Sequence, residues 1–88
     1  MLEKVKLALR ISHNKLDSEI EDNIKEARAE MVRAGVVIEV AESELPLIEG
    51  AIKTYCKFKQ ADDSKLADGF YKSWELQLEN IRKSRMEV

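Results

Sequence analysis

Ser43 to Gln60 reads SELPLIEGAIKTYCKFKQ, and this stretch decides the fold. At about 100° per residue, Leu45, Leu47, Ile48, Ala51, Ile52, Tyr55, Cys56 and Phe58 fall on one arc of a helix, roughly half its circumference. Glu49, Lys53, Thr54, Lys57 and Gln60 take the other side, and only Lys59 intrudes on the apolar arc. One neighbouring helix cannot cover an arc that wide. The stretch is therefore expected to be the central helix of a small all-α domain. Ser43 is its expected N-cap, with Pro46 in the first turn, where the missing N–H has no helical acceptor to lose. Leu45, Ile48, Ile52, Tyr55 and Cys56 are assigned to the core of the subunit. Leu47, Ala51 and Phe58 form a margin that needs a further neighbour.

Upstream, Leu16 to Gly35 has the strongest helix signals. Leu16, Ile20, Ile24, Ala27, Met31 and Ala34 recur at helical spacing, and Asp17, Glu19, Glu21 and Asp22 crowd the start, where the helix dipole favours carboxylates. Ser18 and Glu21 have capping-box spacing, Asp17 is an alternative cap, and Gly35 supplies a left-handed stop. Before it, Met1 to Ile11 reads as a short helix. Leu2, Val5 and Leu9 share one face, Leu7 and Ile11 lie nearly opposite, and the helix ends near Arg10 or Ile11 at the polar turn Ser12–Lys15. Downstream, a turn over 61–64 leads to a last helix from about Ser64 to Arg85. Its stripe is Leu66, Ala67, Phe70, Tyr71, Trp74, Leu78 and Ile81, with Leu76 on the far side and the final 86–88 fraying.

Between the two best helices, Val36-Val37-Ile38-Glu39-Val40 is β-branched and short, and an extended connector over 36–42 is expected. A lone extended segment cannot pair its own backbone groups inside a helical subunit. It must either tuck its side chains under the fold or meet a partner. The architecture expected is thus a bundle of about four helices: a short N-terminal one, two central ones and a long C-terminal one.

Size and charge narrow the function. The 88 residues make a single domain, 1–88, with a thin core, and 36% charged against 44% hydrophobic residues suits helices with one apolar stripe. A net charge of −2 argues against a protein that wraps nucleic acid through phosphates, and no helix has a basic exposed face for a DNA groove. The stretch from Gly35 to Ile52 holds Glu39, Glu42, Glu44 and Glu49 with no Lys or Arg, whereas Arg82, Lys83 and Arg85 make the far end basic. That pattern fits helix-end solvation, and it also fits charge matching between neighbouring copies. No apolar run is long enough to span a membrane and no signal-peptide pattern opens the chain, so a protein kept in a reducing cytoplasm is expected.

Residues for chemistry are sparse. A single Cys56 on an apolar arc and a single His13 in a polar turn do not make a zinc site, and Asp62-Asp63 has no glycine-punctuated calcium loop. There is no phosphate-binding glycine loop or nucleophile elbow. No cofactor, metal or catalytic group is expected.

Four segments in this order carry a resemblance: LEKVKLALRI (2–11), LDSEIEDNIKEARAEMVRAG (16–35), LPLIEGAIKTYCKF (45–58) and DDSKLADGFYKSWELQLENIRKS (62–84). Together they resemble the small head–tail connector proteins of tailed bacteriophages and prophages, also labelled DNA-packaging proteins. The match includes the Ala51-Ile52-Lys53-Thr54-Tyr55 motif and covers nearly the whole chain, with Trp74 where members more often carry Tyr. The resemblance implies a non-enzymatic all-α adaptor that forms a homo-oligomeric ring beneath the portal. It would bind the portal on one side and a stopper or tail-completion protein on the other, and DNA would pass through the channel without specific binding. Its place would be the virion head–tail junction, reached from the host cytoplasm. The contact residues expected are Val36, Val37, Ile38, Val40, Leu47 and Phe58, with Arg82, Lys83 and Arg85 from the basic end. A two-fold helical adaptor of the host and, less favoured, a DNA-binding regulator are the alternative readings.

Overall fold

The computed structural model describes residues 1–83. Five helices follow in order: α1 (Leu2–Leu9), α2 (Asp17–Arg33), α3 (Ile38–Ala41), α4 (Pro46–Gln60) and α5 (Ser64–Lys83). No strand occurs among the described residues. The fold is the small all-α bundle expected, with one additional short helix. The anticipated end of α5 near Arg85, Arg85 as a contact residue and the fraying of 86–88 lie outside the described residues.

The central position of α4 follows from its arc. It packs against α1, α2 and α5, and Ile48, Ala51, Ile52, Tyr55 and Cys56 are all buried. Ala51 thus belongs to the core and not to the margin, while Leu45 is only partly covered. The three residues 61–63 return the chain, so α5 runs antiparallel along α4: Tyr55 meets Trp74 with ring centroids 4.7 Å apart, and Phe58 meets Tyr71 at 5.0 Å. Gly50 faces the Gln77 side chain farther along the same pair, at ordinary contact distance. Ile20, Ile24, Ala27 and Met31 of α2 and Val5 of α1 complete the core.

Both early helices end in the same device. In α2, Gly35 has φ +105°, its N–H reaches Val32 O at 3.0 Å and the Val36 N–H reaches Met31 O at 2.9 Å. This is a Schellman end, and the apolar pair it brings together, Val36 and Met31, is buried. In α1 the left-handed position is taken by Arg10, φ 59°, with Arg10 N–H on Leu7 O and Ile11 N–H on Lys6 O. That reversal swings Ile11 onto the core margin and leaves Leu7 80% exposed, so α1 is covered on one side only.

The starts of α2 and α4 differ from expectation. α2 begins two residues earlier than the Ser18 capping box requires, after Leu16, and Ser18 is exposed without a capping hydrogen bond. Asp17 is engaged elsewhere, with its Oδ1 2.8 Å from the Nζ of Lys6, a lysine that is itself buried. α4 begins at Pro46 with Leu45 at the cap position, and Ser43 instead turns the chain, its Oγ donating to Val40 O at 2.6 Å and accepting from the Leu45 N–H at 3.4 Å. Pro at the first helical position suits its fixed φ. At α5, Asp63 Oδ1 accepts the Lys65 N–H at 2.7 Å, which makes Asp63 the cap.

The extended connector is the main correction. Residues 38–41 form one helical turn: the N–H groups of Val40 and Ala41 donate to Val37 O, and that of Glu42 donates to Ile38 O. The β preference of Val and Ile is a weak prior, and a helical turn pairs locally the backbone groups that an isolated strand would leave open. Arg28 of α2 secures the turn. Its Nη1 donates to Ala41 O at 2.8 Å and Ser43 O at 2.9 Å, and its Nη2 to Glu44 Oε2 at 3.2 Å, so orphan carbonyls at this helix end are satisfied by a side chain.

Candidate interaction surface

The turn of α3 sorts the β-branched segment into two pairs. Val36 and Val40 are 6% and 5% exposed and belong to the core, so these two expected contact residues are corrected to structural ones. Val37 and Ile38 are 61% and 55% exposed and project from a corner fixed by the Gly35 reversal on one side and Arg28 on the other. Glu42, one turn after Ile38, and Glu39 are exposed beside them. Neither carboxylate has an ion-pair partner among the described residues, whereas Glu44 is held by Arg28, and Glu49 by Lys4 at 2.9 Å and Lys53 at 2.8 Å. The two lysine hydrogen bonds, that of Lys53 being the stronger influence, lower the pKa of Glu49 to about 2.

The other expected contact residues are distributed over the subunit. Leu47, on the first turn of α4, is half exposed and free to touch a neighbour. Phe58 is partly buried between Tyr55 and Tyr71 and serves the α4–α5 packing. Arg82 and Lys83 are exposed at the end of α5, Lys83 pairing with Glu79 at 2.8 Å. They stand beside Gly35, in a depression lined by Gly35, Glu79, Arg82 and Lys83. The acidic stretch and the basic α5 end, far apart in sequence, therefore share one end of the molecule. Matching them between copies is not required by their placement.

A second apolar surface lies at the opposite end of α4. Because α4 stops at Gln60, the first turns of α5 run past it, and Leu66 remains 58% exposed despite its place on the α5 stripe. Leu66 and Phe70 form a groove of about 410 Å³ with Leu9 and Ile11 of the α1 end, and its charged lining residues are Arg10 and Lys57. The sequence stripes contain these apolar residues, but only the relative lengths of α4 and α5 show that they are left uncovered. Tyr71 and Leu76, 43% and 64% exposed, lie farther along α5.

Groups with chemical potential are quiet. Burial pushes the Cys56 thiol up to about 12, which keeps it protonated and unreactive. Tyr55 is raised by burial and then by its hydrogen bond to Glu26, whose Oε1 accepts the phenol at 2.7 Å; that hydroxyl and Lys59 lower the pKa of Glu26. His13 is exposed in the α1–α2 turn, where its Nδ1 accepts the Lys15 N–H at 3.2 Å. Among the described residues, no group of three or more His, Cys, Asp or Glu could hold a metal, and no helix is long and apolar enough to cross a membrane. Comparison of the chain with protein-family models, curated proteins and solved structures finds no match.

Proposed function

We propose that this protein is a structural adaptor of a tailed bacteriophage or prophage, a non-enzymatic subunit of a ring that joins the portal vertex of the capsid to the stopper or tail and continues the DNA channel. The observation that carries this reading is the uncovered apolar surface on separate parts of so small a subunit. Val37 and Ile38 at one end of α4, Leu66 at the other, and Leu7 and Leu76 elsewhere all stand more than half in solvent. A ring subunit has a neighbour on each side and axial partners above and below, so it has use for several such surfaces, whereas a two-fold dimer needs one. The ordered resemblance of four segments over nearly the whole chain supports the same reading.

In this reading the partners are further copies of the chain, the portal protein and a stopper or tail-completion protein, at the virion head–tail junction. A net charge of −2 suits a wall past which DNA slides. Mixing the purified protein with the portal of the same phage and imaging the product by electron microscopy tests it. A symmetric ring stacked on the portal is the expected outcome. No co-assembly, together with a stable two-fold dimer in solution, would overturn it.

A further inference from the structure

We infer that copies of this chain join head to tail, the Val37–Ile38 corner of one copy seated in the Leu9–Leu66–Phe70 groove of the next. The inference names the subunit contact of the proposed ring. It rests on that reading only for the closure of the ring, since the contact itself needs no portal.

Three observations carry it. The corner is a rigid apolar knob, because the left-handed Gly35 and the Arg28 hydrogen bonds to Ala41 O and Ser43 O hold its backbone, and docking it orders little further chain. The groove offers about 410 Å³ lined by Leu9, Ile11, Leu66 and Phe70. The rims are complementary in charge. Glu39 and Glu42 flank the knob, Arg10 and Lys57 line the groove, and none of the four has an ion-pair partner among the described residues. Arg82, beside Gly35, borders the start of the knob segment without belonging to this acidic pair.

The placement fixes the type of contact. The knob precedes the first residue of α4 and the groove includes Lys57 and Gln60 near its last, so about 20 Å of helix separates them. One copy cannot fill its own groove. Knob and groove are different surfaces, so each copy can give one and receive one. Such contacts close into a ring or continue as a filament according to the rotation between copies.

Sedimentation of the full chain at millimolar concentration tests the contact. The wild type is expected to self-associate, and less so at high salt. Ile38→Asp and Leu66→Asp change exposed side chains, and each should lower the association constant at least about tenfold while leaving the far-UV circular dichroism unchanged. An equimolar mixture of the two should then form a dimer and nothing larger, because one intact knob and one intact groove remain. Lys57→Glu and Glu42→Lys should each associate weakly alone, and their mixture should regain association beyond the dimer, because both alternating contacts then pair a lysine with a glutamate. A wild type that stays monomeric throughout, a variant that associates normally, or mixtures that remain monomeric would each overturn the contact. If Ile38→Asp and Leu66→Asp still stacked as complete rings on a portal, the contact would fall and the ring reading would stand. Head-to-tail dimers from the mixture, without any binding to portal, would support the contact and count against the portal.

Discussion

Gly35 and Arg82 are side by side: a Cβ added to Gly35 would stand 3.7 Å from the Arg82 Nε. Space therefore does not forbid a side chain at this position, but the backbone does, because φ is +105°. Gly35→Ala should destabilise the protein by about 1–2 kcal/mol through conformational strain, with little loss of packing. Urea unfolding of the variant measures it. An unchanged midpoint would mean that the reversal after α2 is not fixed by Gly35.

Lys6 and Asp17 predict an asymmetry. The lysine is 4% exposed and its Nζ also donates to Asn14 Oδ1 at 2.9 Å, while the Asp17 side chain keeps 29% of its surface in solvent. Removing the carboxylate by Asp17→Ala strands a buried ammonium and should cost about 3 kcal/mol. Lys6→Met removes the charge that needs a partner but leaves Asp17 Oδ1, itself out of solvent, unpaired, while the rest of that carboxylate stays hydrated, so its cost should be smaller, about 1–2 kcal/mol. Equal losses for the two variants, measured by chemical denaturation, would contradict the buried position of Lys6.

Elements with a long apolar stripe were legible because periodicity accumulates over several turns. The stripes of α2 and α4 each run for four turns or more, and both helices lie where their stripes place them. One helical turn has no periodicity to read, so α3 resembled a strand. What decides its form is Arg28, from α2, on its last carbonyls, a contact between residues 13 and 15 positions apart. Capping also misled locally: Ser18 and Ser43 had the right chemistry, but the Lys6–Asp17 pair and the Ser43 bond to Val40 O moved the helix starts. At the surface, the sequence marked Val36, Val37, Ile38 and Val40 alike, and only the turn of α3 separates the exposed pair from the buried one. The groove could not be named from sequence, since it exists only because α4 ends before α5 is covered.

Glu49 gives a pH dependence. Its folded-state pKa of about 2 lies below its ordinary value of 4.5, held there by Lys53 and Lys4. The stability these contacts contribute is fully present above about pH 4.5 and is lost as pH falls towards about 2. Glu49→Gln should therefore be less stable than the wild type at neutral pH, with the gap closing through that window. Denaturation curves collected across it provide the check, and a gap that persists at pH 2 would assign the effect to packing.

Trp74 sets the scale of the core. It is 2% exposed and packs on Tyr55, so Trp74→Ala should cost about 3–5 kcal/mol. A domain of this size has only about 4–13 kcal/mol in total, so the variant should be largely unfolded at moderate temperature. Leu76→Ala, on the same helix but 64% exposed, should change stability by less than about 0.5 kcal/mol. Similar melting points for the two would contradict the packed face of α5.

The sharpest division falls within five consecutive residues. Val36 and Val40 face the core while Val37 and Ile38 face solvent, so the same substitution should have opposite consequences at neighbouring positions. Val36→Asp or Val40→Asp buries a carboxylate without a partner and should cost at least about 3 kcal/mol, visible as a melting temperature lowered by about 12 °C or more. Val37→Asp and Ile38→Asp should stay within about 0.5 kcal/mol of the wild type, because an exposed aspartate remains hydrated. Thermal denaturation of the four variants in dilute solution, where copies do not meet, separates stability from association. If all four collapsed, the whole segment would be core, α3 would have no free face, and the knob would have nothing to offer a neighbouring copy.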